Sequence, residues 1–493
     1  MKDLKEKTIR GGYARGAALA STFALRVVSL MLLARLLDPK EFGLLGMVTA
    51  FTGILSLFRD FGLSAASIQR ITVTDEQTST LFWINILVGV LLTAFAMLAA
   101  PLLAAFYHEP RLVGVTLVVS TGFLFNALGI QHSALLQRQM RFTALAAIDV
   151  ISLVVSTSIA FAMAKWGFGY WALVAMTVCL PLTSSVCLWI VGSWVPGRFH
   201  RRIGILSMMR FGGTITLNGL IMYLASNFEK ILLGRYWGAE ALGLYGRAYQ
   251  LIRIPTDNLN TAVGDVAFSA LARIQEDPER LKRYFLKGYS LVLALTIPIT
   301  VACGIFADDI ILILLGPKWK EAASIFRLLA PTMLVFAVAN PLGWLLTSIG
   351  KVGRGLRIAF VIAPLMIASN IIGLPYGPKG VAIAYSSVML LWIVPIVPWC
   401  VHGTGISPRD ILRTVSRPLG SVLPAAALAF GIAHVLSSVP STLVRLVLEC
   451  TVLFGMYGVI LLFVAGEKSF YLDLLRTMRN KPNLKSEESV SAL

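Results

Sequence analysis

The side chains best placed to do chemistry are guanidinium groups set in apolar surroundings. Arg15 and Arg26 share one helical face with Thr22 and Ser29, about 16 Å apart along it. Between Tyr245 and Ala267, at about 100° per residue, Gly246, Gln250, Arg253, Asp257, Asn260 and Gly264 fall within about 40° of one line. The opposite side carries Leu244, Ala248, Leu251, Pro255, Leu259, Ala262 and Val266. Arg247 and Asp265 lie about 100° off the polar stripe. A further apolar run holds Arg327 and Asn340. A guanidinium keeps its charge and grips phosphate or carboxylate through paired N–H groups. The candidate anion-binding set is therefore Arg15, Arg26, Arg247, Gln250, Arg253, Asn260 and Arg327, with Asp60, Asp257 and Asp265 as candidates for a coupling ion.

Several of these charges have simpler uses. Arg253 and Asp257, spaced i,i+4, can neutralise each other within one helix. Glu229 and Lys230 can snorkel outward, Arg59 and Asp60 can sit at headgroup level, and Arg445 and Glu449 read as a self-satisfied pair. Arg26 has no acid in its own segment. Inside the apolar runs of residues 12–401, Lys and Arg outnumber the acids, which include Asp60, Asp149, Glu229, Asp257 and Asp265. That excess implies an anionic cargo, and a lipid-linked diphosphate fits both the charge and a bilayer location.

Enzymatic signatures are missing. There is no GxxxxGK[ST], no HExxH and no GxSxG, and Asp308-Asp309 reads as a solvated loop. The five cysteines fall in apolar segments without a CxxC pair, and the five histidines are scattered. No metal site, no cofactor and no ATP hydrolysis are expected.

The elements that must position these residues are membrane helices. Of 493 residues 57% are hydrophobic and 14% charged, with mean hydropathy +0.78. A soluble domain carries about 25% charge. The net charge of +18 is spread over short loops, which points to orientation in a membrane and not to nucleic acid. Spans are expected over 12–36, 42–66, 78–104, 112–136, 143–164, 170–192, 206–234, 241–270, 284–306, 321–349, 355–373, 380–401, 418–437 and 442–465. With the N-terminus inside, the cytoplasmic segments hold 27 Lys and Arg against 8 on the opposite side, so both termini are expected in the cytoplasm. The first span is read as uncleaved, and the polar tail as disordered after about residue 480.

An internal repeat sets the expected architecture. Shifted by 200 residues, Arg10, Gly12, Leu32, Leu33, Arg35, Gly43, Leu44 and Gly46 meet Arg210, Gly212, Leu232, Leu233, Arg235, Gly243, Leu244 and Gly246. Six spans apart, the two copies share one membrane orientation. They are parallel repeats about an axis along the membrane normal, as in alternating-access transporters. The expectation is an all-α protein of fourteen transmembrane helices around a central cavity. The N-lobe is 1–200 and the C-lobe 201–403, followed by two added helices in 404–466 and a tail over 467–493.

The run Ala34-Arg-Leu-Leu-Asp-Pro-Lys-Glu-Phe-Gly-Leu-Leu45, then Phe58-Arg-Asp-Phe-Gly-Leu63 and Ile68-Gln-Arg70, resembles the oligosaccharide flippases of the multidrug/oligosaccharidyl-lipid/polysaccharide superfamily. Asn227 to Arg235, Ala241 to Tyr249, Pro255 and Tyr376 to Gly380 agree with it, in the branch of teichuronic-acid and exopolysaccharide exporters. The resemblance implies a two-lobed flippase in the bacterial inner membrane. It would carry an undecaprenyl-diphosphate-linked oligosaccharide to the periplasmic leaflet, for exopolysaccharide, capsule or O-antigen export, alongside a polysaccharide polymerase. Glu229 stands where aspartate is expected, and Ser269 where proline is common. Two other functions compete: a multidrug/cation antiporter on the same fold, which predicts acid-dominated cavities, and a membrane-integral glycan polymerase or ligase, which predicts a sizeable outer loop.

Overall fold

A computed structural model of the chain describes residues 21–59, 74–199, 206–436 and 439–466. Every regular element among them is helical. In chain order these are α1 (21–36), α2 (Pro39–Ser56), α3 (Asp75–Tyr107), α4 (Leu112–Arg138), α5 (Phe142–Lys165) and α6 (Tyr170–Val191). Leu206–Arg273 follows, broken at Gly238 into α7 (206–237) and α8 (239–273). Then come α9 (Pro278–Ile305), α10 (Ala307–Leu314), α11 (Lys320–Leu329), α12 (Pro331–Ser348), α13 (Val352–Gly373), α14 (Gly377–Val401), α15 (Pro408–Leu436) and α16 (Thr442–Val459). Nine helical stretches among the described residues are long and apolar enough to cross a membrane, and the chain is a multi-pass membrane protein.

Helix starts are encoded in short polar-proline motifs. Asp38 caps α2, Pro39 occupies the first helical position, where a missing N–H is harmless, and Glu41 accepts the Asp38 N–H at 2.8 Å. Asp277-Pro278 opens α9 in the same way, with the Arg280 N–H on Asp277 Oδ1 at 3.0 Å. Thr74 and Gln77 cap α3 reciprocally at 3.2 and 3.3 Å.

The structure departs from the expected spans in three places. The described helix of 42–66 closes at Ser56, and residues 60–66 lie outside the described residues. The expected loop between 206–234 and 241–270 is a single residue, Gly238, at φ 79° and ψ −175°. That conformation favours glycine. The segment 321–349 is two helices, because Pro331 brings no N–H to continue α11 and instead starts α12.

The chain groups by contact into two units. One comprises Met1–Tyr249, Leu314–Ile325 and Ala359–Val388; the other Gln250–Ile313, Phe326–Ile358 and Met389–Leu493. In the first, α2 and α8 meet backbone to backbone. A β-carbon on Gly43 would stand 1.6 Å from the Ala239 carbonyl oxygen, and one on Gly243 would stand 1.9 Å from that of Pro39. Only glycine at both positions permits this approach. Next to it, fully buried Trp319 packs on Phe42 edge-to-face at 5.2 Å and donates its indole N–H to the Ala34 carbonyl at 2.8 Å.

In the second unit, Tyr457 donates to the Ala294 carbonyl at 3.0 Å, tying α16 to α9, and Tyr289 donates to Val338 at 3.3 Å, tying α9 to α12. Asp308 and Asp309, expected in a solvated loop, form the first turn of α10, where the helix dipole favours acids. Asp309 takes the Arg445 guanidinium through both carboxylate oxygens, with Nε at 2.7 Å from Oδ2. Arg445 is therefore not satisfied by Glu449 of its own helix. Glu449 is 2% exposed, and its Oε2 has no hydrogen-bond partner among the described residues.

Two substitutions test this packing. Gly43→Ala should separate α2 from α8 and cost about 1–3 kcal/mol, read as a lower temperature at which detergent-purified protein loses monodispersity. Arg445→Met leaves Asp309 half-enclosed without its cation. It should cost about 3 kcal/mol, the low end for a broken buried pair, and Asp309→Asn combined with Arg445→Met should recover part of the loss.

Candidate functional site

Burial along the stripe read from the sequence is mixed: Gly264 is buried on it, and Pro255 on the far side is half-buried. Gln250 and Asp257 are exposed, while Gly246, Arg253 and Asn260 are half-buried. On the far side Leu244, Ala248 and Leu251 are buried. The side chains of Leu259, Ala262, Asp265 and Val266 lie outside the described residues, as do Arg15 and Asp60 entirely.

Arg253 reaches Asp257 with two hydrogen bonds, Nε to Oδ2 at 3.2 Å and Nη2 to Oδ1 at 3.0 Å. Its guanidinium also lies 5.3 Å from the Phe336 ring centroid. The partners are 37% and 55% exposed. An exposed i,i+4 pair of this kind is worth about 0.3–0.5 kcal/mol. Such a pair orients the arginine fork and leaves it accessible from solvent.

One turn further along α8, Asn260 Oδ1 accepts the Trp344 indole N–H at 2.9 Å. Thr256, Thr296, Phe336, Asn340 and Trp344 join Asn260 around a gap of about 10 Å³, room for one water. Gly264 allows Trp344 in: a β-carbon there would be 2.9 Å from the indole nitrogen. The sequence singled out Asn340 but missed Phe336 and Trp344. Their signal was present, since 336, 340 and 344 recur every fourth residue on α12 and present one face.

The other arginines have local partners. Arg26 on α1 lies within charge reach of Asp149 on α5, so the acid missing from its own helix comes from another. Beside it, Ser29 and Thr157 hydroxyls are 2.8 Å apart, which packs the same two helices together. Arg247 lies over the Phe42 ring at 4.2 Å, a cation–π contact inside the first unit. Arg327 pairs with Asp308 at 2.5 Å and donates to the Gly304 carbonyl at 3.2 Å. Glu229 does not snorkel; it is 4% exposed, and Lys230 instead donates to Asn227 Oδ1 at 2.7 Å. The expected surplus of uncompensated guanidinium groups is thus smaller than composition suggests. In the second unit the structure gathers Gln250, Arg253, Asp257 and Asn260 on one face of α8. Among the described residues no group of three or more His, Cys, Asp or Glu comes together to hold a metal.

Trp344 gives this region a spectroscopic handle. Gly264→Val should push the indole off Asn260 and shift tryptophan emission, and the shift should vanish when Trp344→Phe is combined with it.

Residues 32–324 match the family described as "Polysaccharide biosynthesis protein". Teichuronic acid biosynthesis protein TuaB of Bacillus subtilis is 31% identical over 332 residues, covering 66% of this chain and 68% of the relative. Lipopolysaccharide biosynthesis protein WzxC of Escherichia coli is 26% identical over 446 residues, 88% of this chain and 89% of the relative. Among solved structures, the lipid II flippase MurJ in an inward closed conformation superposes with a TM-score of 0.73 at 14% identity, over 94% of this chain and 99% of that one. At that identity the likeness is one of fold.

Proposed function

Because the chain belongs to the polysaccharide biosynthesis protein family, we propose that it is a flippase for a lipid-linked oligosaccharide. The cargo is an oligosaccharide repeat unit on undecaprenyl diphosphate, carried from the cytoplasmic to the periplasmic leaflet of the bacterial inner membrane. The chain works as a transporter and not as an enzyme. Relatives named for lipopolysaccharide and teichuronic acid biosynthesis, and a fold shared with a lipid II flippase, support this reading.

The observation that carries it is the polar face of α8. A charged stripe on a helix of so apolar a chain must face protein or enclosed water, because lipid cannot solvate it. The stripe's guanidinium is held by a weak, displaceable carboxylate. In this proposal the diphosphate takes Arg253 from Asp257 and the sugar headgroup enters with it while the lipid chain stays in the bilayer; Arg26 remains a phosphate-contact candidate from the sequence. Fourteen spans arranged as two parallel repeats, 1–200 and 201–403, then rock about the loaded site. The repeat-related glycines Gly43 and Gly243, which lie at one crossing, support that arrangement. Asp257, once released by Arg253, is the group best placed to take a proton or sodium ion and couple its movement to transport. Asp60 and Asp265 remain candidates from the sequence. The glycan is delivered to a polymerase on the periplasmic side, and both termini stay in the cytoplasm.

Export of surface glycan in a strain lacking its own flippase tests the proposal. Arg26→Ala with Arg253→Ala should abolish export while the protein remains inserted at normal abundance, since each charge-assisted contact contributes about 1.5–3 kcal/mol. Full export by the double variant ends the phosphate-clamp mechanism. Asp257→Asn removes the competitor for Arg253, and should bind undecaprenyl diphosphate several-fold more tightly while slowing export.

A further inference from the structure

Within the first unit, α4 and α6 enclose a second polar space of about 280 Å³ that the diphosphate mechanism does not use. Asn126, Ser133 and Gln137 line it from α4, Ser184 and Ser185 from α6, and Arg59 from the turn after α2. Positions 126, 133 and 137 share one helical face. The walls are pinned together. The Ser185 hydroxyl donates to the Phe125 carbonyl, and the Trp189 indole donates to Leu128 at 3.0 Å. Gly129 is required at that contact, since a β-carbon there would lie 2.6 Å from Ser185 Oγ. The space is therefore preformed.

Five hydroxyl and carboxamide side chains in two membrane helices are more than packing needs, and each can both donate and accept a hydrogen bond. No carboxylate lines the space among the described residues, which disfavours an organic cation. Its volume is near the lower bound of about 300 Å³ for small-molecule pockets. We propose that this pocket seats one polyhydroxylated sugar ring of the carried glycan and so reads the headgroup separately from the diphosphate. The inference rests on the flippase reading. In the orientation proposed above, the C-terminal half of α4 lies in the cytoplasmic half of the bilayer, where the headgroup arrives.

Binding to the full-length protein, measured by native mass spectrometry in detergent, tests this with two probes. One is undecaprenyl diphosphate; the other is the same carrier bearing its oligosaccharide, isolated from cells that make it. The unaltered protein should hold the glycosylated carrier about tenfold more tightly than the bare one. Combined Asn126→Ala, Gln137→Ala and Ser184→Ala should erase that preference and leave bare-carrier binding unchanged, which also shows the variant is folded. Ser133→Phe, which fills the space, should do the same. If either variant keeps the preference, or loses both probes equally, the sugar pocket is wrong. Equal binding of both probes by the unaltered protein likewise overturns the pocket alone. Binding of neither probe overturns the pocket and the flippase reading together.

Discussion

The contact between Gly43 and Gly243 constrains the first of the two units. In a bilayer, helices gain little from burying apolar surface against one another, so close backbone approach and shape complementarity must hold them together. Here α2 and α8 touch at positions where any β-carbon would overlap a carbonyl group. The same crossing places Phe42 beneath Arg247 and against Trp319, so one cation–π contact and one fully buried indole secure it from the side. These contacts fix the first turns of α8, residues 239–249, against α2.

Although the chain carries a net charge of +18, several arginines in its apolar segments have an acid at hand, and that changes how the proposed anion binding would work. Arg253 has Asp257, Arg327 has Asp308, Arg445 has Asp309, and Arg26 has Asp149 within charge reach. An arginine left bare at membrane depth would be costly in the unloaded state. Pairing removes that cost, but a ligand must then compete with the resident carboxylate. The competition is easiest where the pair is most exposed. Arg445 and Asp309, at 24% and 12% exposure, form a structural tie. Arg253 and Asp257, at 37% and 55% exposure, are the more open pair, which is why the proposed mechanism places exchange there.

The local features were legible in the sequence and the distant ones were not. Helix positions follow from hydropathy to within several residues, whereas the Asp-Pro and Thr-x-x-Gln caps that start α2, α9 and α3 went unread. The α8 stripe and its Arg253–Asp257 pair are i,i+4 features, visible in a single segment. Arg445 was assigned to Glu449 because that partner is four residues away, whereas its actual partner is Asp309, 136 residues earlier. Arg26 and Asp149 are likewise joined only by folding. Trp319 lies in a short connection, and nothing in the local sequence signals that its indole reaches the Ala34 carbonyl, 285 residues earlier. The pocket between α4 and α6 was invisible for the same reason: its serines and amides are unremarkable until two helices bring them together.

The most direct test is water accessibility along α8. Single cysteines at Gln250, Arg253 and Asp257, and at Ala248 and Leu251 on the opposite face, would be labelled with a membrane-impermeant maleimide in inside-out vesicles, with and without undecaprenyl diphosphate. The prediction is labelling at the first three positions alone, suppressed by the lipid at 250 and 257, where Arg253 is intact. Equal labelling of both faces, or labelling that the lipid leaves untouched, would contradict a wet, anion-binding stripe.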